Sequence, residues 1–219
     1  MAVATRTVGN SHSHVEMLIP CVQEMLSATG ASLPDVERIC IGVGPGPFTG
    51  LRVGIATAVT LGQVLDVPLH GVCTLDVIAA QWMATGGAPQ EFVIASDARR
   101  KELYWARYSD GRRAGEPQVT DPARLPHEPV AGPGVDVYPE LLGERRPADA
   151  PCSVDAGFMA ANWQSIPDAG LAPLYLRKPD AELPSARKSA LNGRHRRMRP
   201  ARHAVEQAGR PTTIRQATK

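Results

Sequence analysis

Residues 44–52 read GPGPFTGLR, with three glycines and two prolines between two apolar segments. The preceding segment, ICIGV from Ile39 to Val43, is short and continuously apolar, which is typical of a strand buried on both faces of a parallel or mixed sheet. The following segment, from Leu51 to Leu65, is rich in small residues, and its apolar positions suit a helix packed closely on that sheet. This stretch therefore predicts a strand, a glycine loop and a helix, and an α/β fold.

The glycine loop lacks the sequence of the common nucleotide-binding loops. A Walker loop needs Lys and then Ser or Thr after its last glycine, whereas Leu51 and Arg52 follow here, and the glycine spacing of a dinucleotide fingerprint is not matched. Two interpretations stay open. The glycines allow a strand and a helix to pack closely, or the loop and the helix amino terminus offer backbone N–H groups to an anion. The residues of such an anion site are Gly44, Gly46, Thr49 and Gly50.

The segment before the loop predicts one strand and one helix. Residues 1–8 are β-prone. Ser13 and Glu16 have the spacing of a capping box, and apolar residues then recur at helical spacing as far as Thr29. Gly30 follows as a stop signal, so we expect a helix over 13–29.

Beyond residue 65 the pattern alternates between strands and helices. Thr74 is expected to cap a helix that starts directly after the strand at 68–72. Asp110 and Gly111 supply the residues of a tight hairpin turn. The further elements predicted are a helix at 74–83, strands at 92–96 and 102–108, short strands near Val130 and Val135, and a helix at 154–163.

Charged and histidine residues do not form a recognisable catalytic or metal-binding pattern. The position of His12 and His14 near a helix start indicates side chains on the surface. The position of His70 on a strand favours a core histidine whose ring nitrogens have hydrogen-bond partners. No Ser/His/Asp or Cys/His arrangement stands out, so no catalytic and no metal-binding residue is predicted. A group of charged residues between two predicted strands is interpreted as a hairpin tip, with contact to a partner or ligand as the alternative. These residues are Asp97, Arg99, Arg100 and Lys101.

The cysteines and the hydropathy favour a cytoplasmic protein. The four cysteines show no CxxC spacing, and three of them lie in apolar stretches, so buried free thiols in a reducing compartment are expected. No unbroken apolar run approaches the roughly 18 residues of a membrane span, and no leader pattern is seen at Met1. We therefore expect no membrane association.

Basic residues are concentrated at the carboxyl end. Ten of the 24 Lys and Arg residues but one of the 22 Asp and Glu residues lie from Arg187 to Lys219. The remainder of the chain is therefore acidic, and any electrostatic affinity for nucleic acid would come from the tail. The tail also lacks a stable apolar stripe, which predicts disorder.

The segment GVGPGPFTGLRVGIATAVTLGQVLDVPLHGVCTLDVIAA at 42–80 closely resembles the TsaB family, also called YeaZ. The segments SDARRKELYWARY and APLYLRKPDA are similar to that family too, so the resemblance covers about residues 3–182. It implies the actin-like, Hsp70-like ATPase (ASKHA) fold of two α/β lobes. We assign an amino-terminal lobe to 1–88, a carboxy-terminal lobe to 89–184 and a basic tail to 185–219.

The resemblance also implies a function. The family resembles a degenerate copy of the transferase TsaD and associates with it, and the ATPase TsaE joins the assembly. TsaD forms N6-threonylcarbamoyladenosine at position 37 of tRNAs that read codons beginning with A, whereas TsaB is non-catalytic. The resemblance thus implies no cofactor of the chain's own, with ATP or ADP expected at the TsaD interface alone, and indirect contact with tRNA. A homodimer is an alternative association.

Two departures from the related sequences bear on activity. The positions that match two metal-binding histidines of TsaD hold Gly71 and Leu75, so a TsaD-like metal is not expected. Family members also open with a hairpin that this chain lacks, so we expect an incomplete first lobe, weakened nucleotide binding and an uncovered sheet edge.

We place the TsaD-binding face on the helices at 13–29 and 51–65, because their small and apolar residues permit close helix approach. Two rival functions are a metal-dependent enzyme of the same fold, such as a glycoprotease-like peptidase or an ATPase, and a nucleic-acid binder acting through the basic tail. The residues expected in the TsaD interface are Leu18, Val22, Arg52, Ile55, Ala58 and Val59.

Overall fold

The computed structural model describes residues 2–7 and 14–177. The expectations for His12, Ser13 and the basic tail lie outside the described residues, as does the side chain of His14. The described residues all belong to one compact unit. The expected division into lobes near residue 88 stays a prediction.

Among the described residues, helices and strands alternate as far as residue 85, four successive strands follow, and 3-10 helices occupy several connections. The 3-10 helices are Leu33–Asp35, Pro122–Arg124, Gly143–Arg145 and Trp163–Ser165. The helices and strands are α1 His14–Ala28, β1 Ile39–Gly44, α2 Phe48–Leu65, β2 Leu69–Cys73, α3 Thr74–Thr85, β3 Glu91–Asp97, β4 Leu103–Ser109, β5 Arg112–Arg113, β6 Gln118–Thr120, β7 Val130–Ala131, α4 Gly134–Val137, α5 Pro139–Leu142 and α6 Ala156–Asn162.

The strands form two sheets. β1 and β2 pair in parallel, from Ile39 opposite Leu69 onward. In the larger sheet β3 lies between β4, which is antiparallel to it, and β7, which is parallel. β5 and β6 both pair with β4 in antiparallel fashion. The mixed α/β class expected from the sequence is therefore confirmed.

The strand, loop and helix predicted around the glycines are all present. β1 ends at Gly44, and α2 begins at Phe48, three residues before the predicted start. Pro47 occupies the N-cap position with a φ of −59°, and its carbonyl accepts the backbone N–H of Leu51 at 3.0 Å. Its ψ of 124° is not helical, as is usual for an N-cap residue whose carbonyl accepts the first intrahelical hydrogen bond.

Helix α1 ends at Ala28, close to the end that the stop signal Gly30 predicted. Gly30 has a φ of +71°, and the N–H of Ala31 donates to the carbonyl of Leu26 at 2.9 Å. Only the left-handed conformation, which glycine adopts at little cost, turns the chain back onto the last helical carbonyls in this way.

Three local expectations were wrong. Residues 2–7 are exposed and not in a strand, because no strand among the described residues lies beside them to pair their backbone groups. Thr74 is the first residue of α3 and not its cap, a position that Cys73 occupies without a side-chain hydrogen bond. Val135 lies in α4, where its N–H donates to the carbonyl of Gly132 at 3.2 Å in a tight turn.

The core is centred on α3 and the larger sheet. One face of that sheet packs Phe92 between Trp82 of α3 and Tyr108 of β4, with ring centroids 5.0 and 5.1 Å apart. The opposite face buries Val93 and Trp105, among others. Successive side chains of a strand point to opposite faces of the sheet, and buried side chains occur on both. Both faces of the larger sheet are therefore covered by protein.

Candidate docking face and glycine loop

The glycine loop is shaped by close packing. Gly44 has a φ of +112°, and a Cβ atom built on it would lie 3.1 Å from Cδ1 of Leu51 and 3.2 Å from the carbonyl oxygen of Leu174. The N–H of Leu174 in turn donates to the carbonyl of Val43 at 2.8 Å. These contacts support the interpretation of the loop as a structural turn, because a side chain at residue 44 would be both strained and crowded.

An aromatic and cationic cluster lies beside the loop on the protein surface. The rings of Phe48 and Tyr175 have centroids 4.8 Å apart. The guanidinium carbon of Arg52 lies 3.6 Å from the centroid of the Phe48 ring, and its Nε donates to the Tyr175 hydroxyl at 3.2 Å. Arg52 is thus held by its neighbours while exposed. Anion binding by Gly44, Gly46, Thr49 and Gly50 stays a prediction.

The small residues of α2 face the small sheet. A Cβ atom on Gly54 would lie 3.3 Å from Cδ1 of Ile41, and one on Gly62 would lie 2.6 Å from Cδ2 of Leu69. Ala58 lies between these glycines at helical spacing and is 4% exposed. Ala58 therefore packs against the chain's own sheet, which differs from the interface role expected of it.

The outer face of α2 is left uncovered by the described residues. Arg52, Ala56 and Thr60 are exposed, and the apolar side chains of Ile55 and Val59 are half-buried. By length and composition alone α2 is apolar enough to cross a membrane, yet here it packs on β1 and β2 through one stripe of small residues. An apolar helix with such limited burial marks a surface suited to a protein partner.

Helix α1 extends this surface. α1 contacts α2, and its Leu18 and Val22 are half-buried while Ile19 is exposed. Among the α1 side chains that the structure describes, only Cys21 is buried. We call the surface formed by Leu18, Val22, Arg52, Ile55, Ala56 and Val59 the docking face.

The two positions that match the TsaD histidines cannot hold a metal. A Cβ atom at Gly71 would lie 1.8 Å from the carbonyl oxygen of Gly170, so β2 and the segment beside it leave no room for a side chain. Leu75 is completely buried in the core. Within the described ranges, no group of three or more His, Cys, Asp or Glu residues is arranged to hold a metal ion.

His70 is a satisfied core histidine, as expected. It is 8% exposed, and its Nε2 lies 3.1 Å from the carbonyl oxygen of Ile166. Its ring makes an edge contact with Trp163, and Nδ1 lies 4.0 Å from Oδ2 of Asp168. These contacts fix the ring between β2 and the segment that follows α6.

The charged residues after β3 form a hairpin tip, as expected. Arg99, Arg100 and Lys101 have φ values of 61°, 53° and 63°, three left-handed residues in succession. The carboxylate of Asp97 accepts the backbone N–H of Arg99 at 2.7 Å and pairs with its guanidinium at 3.2 Å. A role for this tip in contacting a partner stays a prediction.

Sequence reasoning missed a buried polar cluster between α3 and the β4–β5 hairpin. The carboxylate of Asp76 accepts hydrogen bonds from the Tyr108 hydroxyl at 2.6 Å and from Nη1 of Arg113 at 2.8 Å. Asp76 is the single charged residue of the helix TLDVIAAQWMAT, and that isolated charge was the signal available in the sequence.

The cluster changes the acidity of its members. Burial, together with the negative charge of Asp76, raises the pKa of Tyr108 well above its usual value. Burial also raises the pKa of the Cys73 thiol, with Asp76 adding to the effect. Burial acts to lower the pKa of Arg113, but its acidic neighbours, Asp76 first among them, outweigh burial and raise it. Arg113 therefore stays a cation.

Comparison with known proteins identifies relatives over most of the chain. Residues 9–142 match the family model of TsaD, tRNA N6-adenosine threonylcarbamoyltransferase. An uncharacterized protein of Mycobacterium tuberculosis is 38% identical over 185 residues, which are 83% of each chain. The tRNA threonylcarbamoyladenosine biosynthesis protein TsaB of Escherichia coli is 33% identical over 175 residues, 79% of this chain and 68% of that protein.

A solved structure shares the fold. YeaZ from Pseudomonas aeruginosa superposes with a TM-score of 0.58 and 30% sequence identity, over 74% of this chain and 84% of that one. The family-model match at 9–142 spans the glycine loop, the docking face and the strands of the larger sheet.

Proposed function

Because this chain belongs to the TsaB (YeaZ) family, we propose that it is a non-catalytic partner of the transferase TsaD. Membership supports a role in the threonylcarbamoyladenosine modification of tRNA. In this proposal TsaD forms the modified adenosine at position 37 of tRNAs that read codons beginning with A. The present chain supports TsaD in the cytoplasm, in an assembly that TsaE joins and that contacts tRNA indirectly.

The docking face is the observation that carries the proposal. It combines half-buried apolar side chains on two adjacent helices with an exposed cation, Arg52, held against Phe48 and Tyr175. Apolar surface bordered by an ordered arginine and aromatic rings is the composition enriched in protein interfaces. Self-association of this chain through the same face is the competing association.

The packing around β2 supports the non-catalytic part of the proposal. At residue 71 any side chain would meet the carbonyl of Gly170, and residue 75 is an apolar core position. Neither position can supply the imidazole ligands that a TsaD-like metal would need. We therefore assign the transfer chemistry to TsaD and expect ATP or ADP at the interface with TsaD alone.

The test is a charge placed on the outer face of α2. Ala56 is exposed and lies one helical turn from Arg52, so Ala56→Arg adds a second long cation to the docking face without entering the sheet-packing stripe. We expect the affinity for the cognate TsaD to fall at least about tenfold. The new arginine is a second cation beside Arg52, and it would have to lose its hydration at the centre of the interface. Affinity is measured by titration calorimetry and by co-purification.

The matched control is Ala84→Arg, the same change at an exposed position near the end of α3, away from the docking face. This variant should bind TsaD like the unchanged chain, and the molar mass of each variant alone reports self-association. Restoration of modified adenosine in a strain depleted of its own TsaB then gives the functional readout. Undiminished binding by Ala56→Arg would remove the docking face from the interface, and absence of binding by the unchanged chain would overturn the proposed function.

A further inference from the structure

A cavity of about 610 Å³ lies between α3, the β4–β5 hairpin and residues 165–167. Cavities that bind small molecules in proteins usually have volumes of about 300–1,000 Å³. None of the docking-face residues lines it. One wall of the cavity is polar, with Asp76, Tyr108 and Arg113, and the opposite wall is apolar, with Ala80 and Met83.

The polar wall is built around a buried carboxylate. Asp76 is 7% exposed and accepts hydrogen bonds from both Tyr108 and Arg113, which offsets the cost of burying its charge. The side chain of Arg113 is 27% exposed and lines the cavity. A guanidinium has five N–H donors in a rigid fork, and the bond to Asp76 runs through Nη1, so further donors are left for a ligand. Asp76 thus orients Arg113 as a donor.

The remaining charges limit what that donor can recognise. Arg112 and Glu116 also line the cavity, so two cations face two carboxylates when Asp76 and Arg113 are included. A site whose charges balance gives little attraction to a polyphosphate, which carries several negative charges. A single carboxylate suits one guanidinium, because the planar fork matches its two oxygens.

The opposite wall selects for an apolar body. Ala80 leaves space where a larger side chain would fill the cavity, and Met83 offers a flexible thioether that adapts to an apolar surface. We propose that this cavity binds a small monocarboxylate with a compact apolar body. Its carboxylate lies on Arg113, and its apolar part packs against Ala80 and Met83. This site is independent of the docking face.

The experiment follows the methyl group of Met83 by NMR in the full-length chain labelled with 13C at its methionine methyls. The probe is 4-methylpentanoate, and the comparison compounds are 4-methylpentan-1-ol, which has a similar apolar body without the charge, and inorganic phosphate. We expect a saturable shift of the Met83 signal with the carboxylate and none with the other two. A Met83→Leu variant identifies the signal.

Two variants test the two walls separately. Arg113→Gln should weaken binding of 4-methylpentanoate about tenfold or more, because a charge-assisted hydrogen bond is lost. Ala80→Leu should block binding by filling the apolar part of the cavity while leaving the polar cluster in place. Ala84→Leu is the control, since Ala84 is exposed on the same helix and does not line the cavity.

The outcomes separate the proposal from its rivals. The methyl signals of the other methionines report whether each variant is folded. The proposal is overturned if 4-methylpentanoate gives no saturable shift, if the alcohol or phosphate binds equally well, or if folded Ala80→Leu binds like the unchanged chain. Binding to TsaD does not enter these measurements, so failure here leaves the proposed function unaffected.

Discussion

Replacing Asp76 by Asn tests whether the buried polar cluster stabilises the fold. Asp76 joins α3 to two strands of the larger sheet, through the Tyr108 hydroxyl at 2.6 Å and Arg113 at 2.8 Å. Asparagine has nearly the same shape, so the substitution removes the negative charge without opening a cavity. The amide oxygen can still accept a hydrogen bond from the Tyr108 hydroxyl, whereas Arg113 loses the negative charge that it pairs with.

The size of the effect follows from the burial of the two partners. Removing one member of a buried ion pair costs about 3–5 kcal/mol when the other charge stays buried. Here the side chain of Arg113 is 27% exposed, so water recovers part of that loss. We expect the free energy of unfolding to fall by about 2–3 kcal/mol, which for a chain of this length lowers Tm by roughly 5–10 °C.

The assay is urea unfolding at pH 7 together with a thermal scan. The control is Asp66→Asn, because Asp66 is exposed and has a φ of 55°, a left-handed conformation that asparagine also tolerates. That variant should stay within about 0.5 kcal/mol of the unchanged chain.

A double-mutant cycle then isolates the pair. Asp76→Asn and Arg113→Gln together should be less destabilising than the sum of the single changes, with a coupling energy of about 1–3 kcal/mol. A loss below about 1 kcal/mol for Asp76→Asn, or additive single changes, would refute the view that this ion pair stabilises the packing of α3 on the sheet.

Two further predictions rest on Tyr108 and Gly71. Because the pKa of Tyr108 is raised in the fold above its ordinary value near 10, its contribution to stability is complete below that value and is lost as the pH rises through the higher folded pKa. Urea midpoints between pH 8 and 11 should therefore decline more steeply for the unchanged chain than for Tyr108→Phe, and parallel curves would contradict this. Gly71→Ala should destabilise the fold by at least about 2 kcal/mol, because its Cβ would meet the carbonyl of Gly170 at 1.8 Å. Gly143→Ala, at a position with open space around the Cβ, should be nearly neutral in the same urea assay.

Local patterns predicted the elements well. The glycine loop, the apolar run before it and the small residues after it correctly indicated β1 and α2, and Gly30 correctly ended α1. The predicted elements that do not form are the strands near residues 2–7 and at Val135, and the predicted cap Thr74 is the first helical residue instead. A strand exists through its hydrogen-bonded neighbour, and β-prone residues without such a neighbour leave their backbone groups to water.

The role of small residues on α2 needed the structure. Sequence reasoning linked them to partner docking, but Gly54, Ala58 and Gly62 form the stripe that lets α2 approach its own sheet. Helical periodicity places these residues on one face without indicating which neighbour that face meets. Once the residues of α2 that face the sheet are known, the exposed face of the helix can be assigned, and it carries Arg52 and Ala56.

The amino-acid sequence by itself determined the order of strands and helices, the glycine turn and the resemblance to TsaB, because each of these is encoded by residues close together in the chain. Tertiary structure alone decided that Asp76 meets Tyr108 and Arg113, which are 32 and 37 residues away, and that Gly71 lies against Gly170. Such contacts depend on how whole elements pack, and packing is set by the combined burial and steric fit of many side chains, which no local pattern specifies.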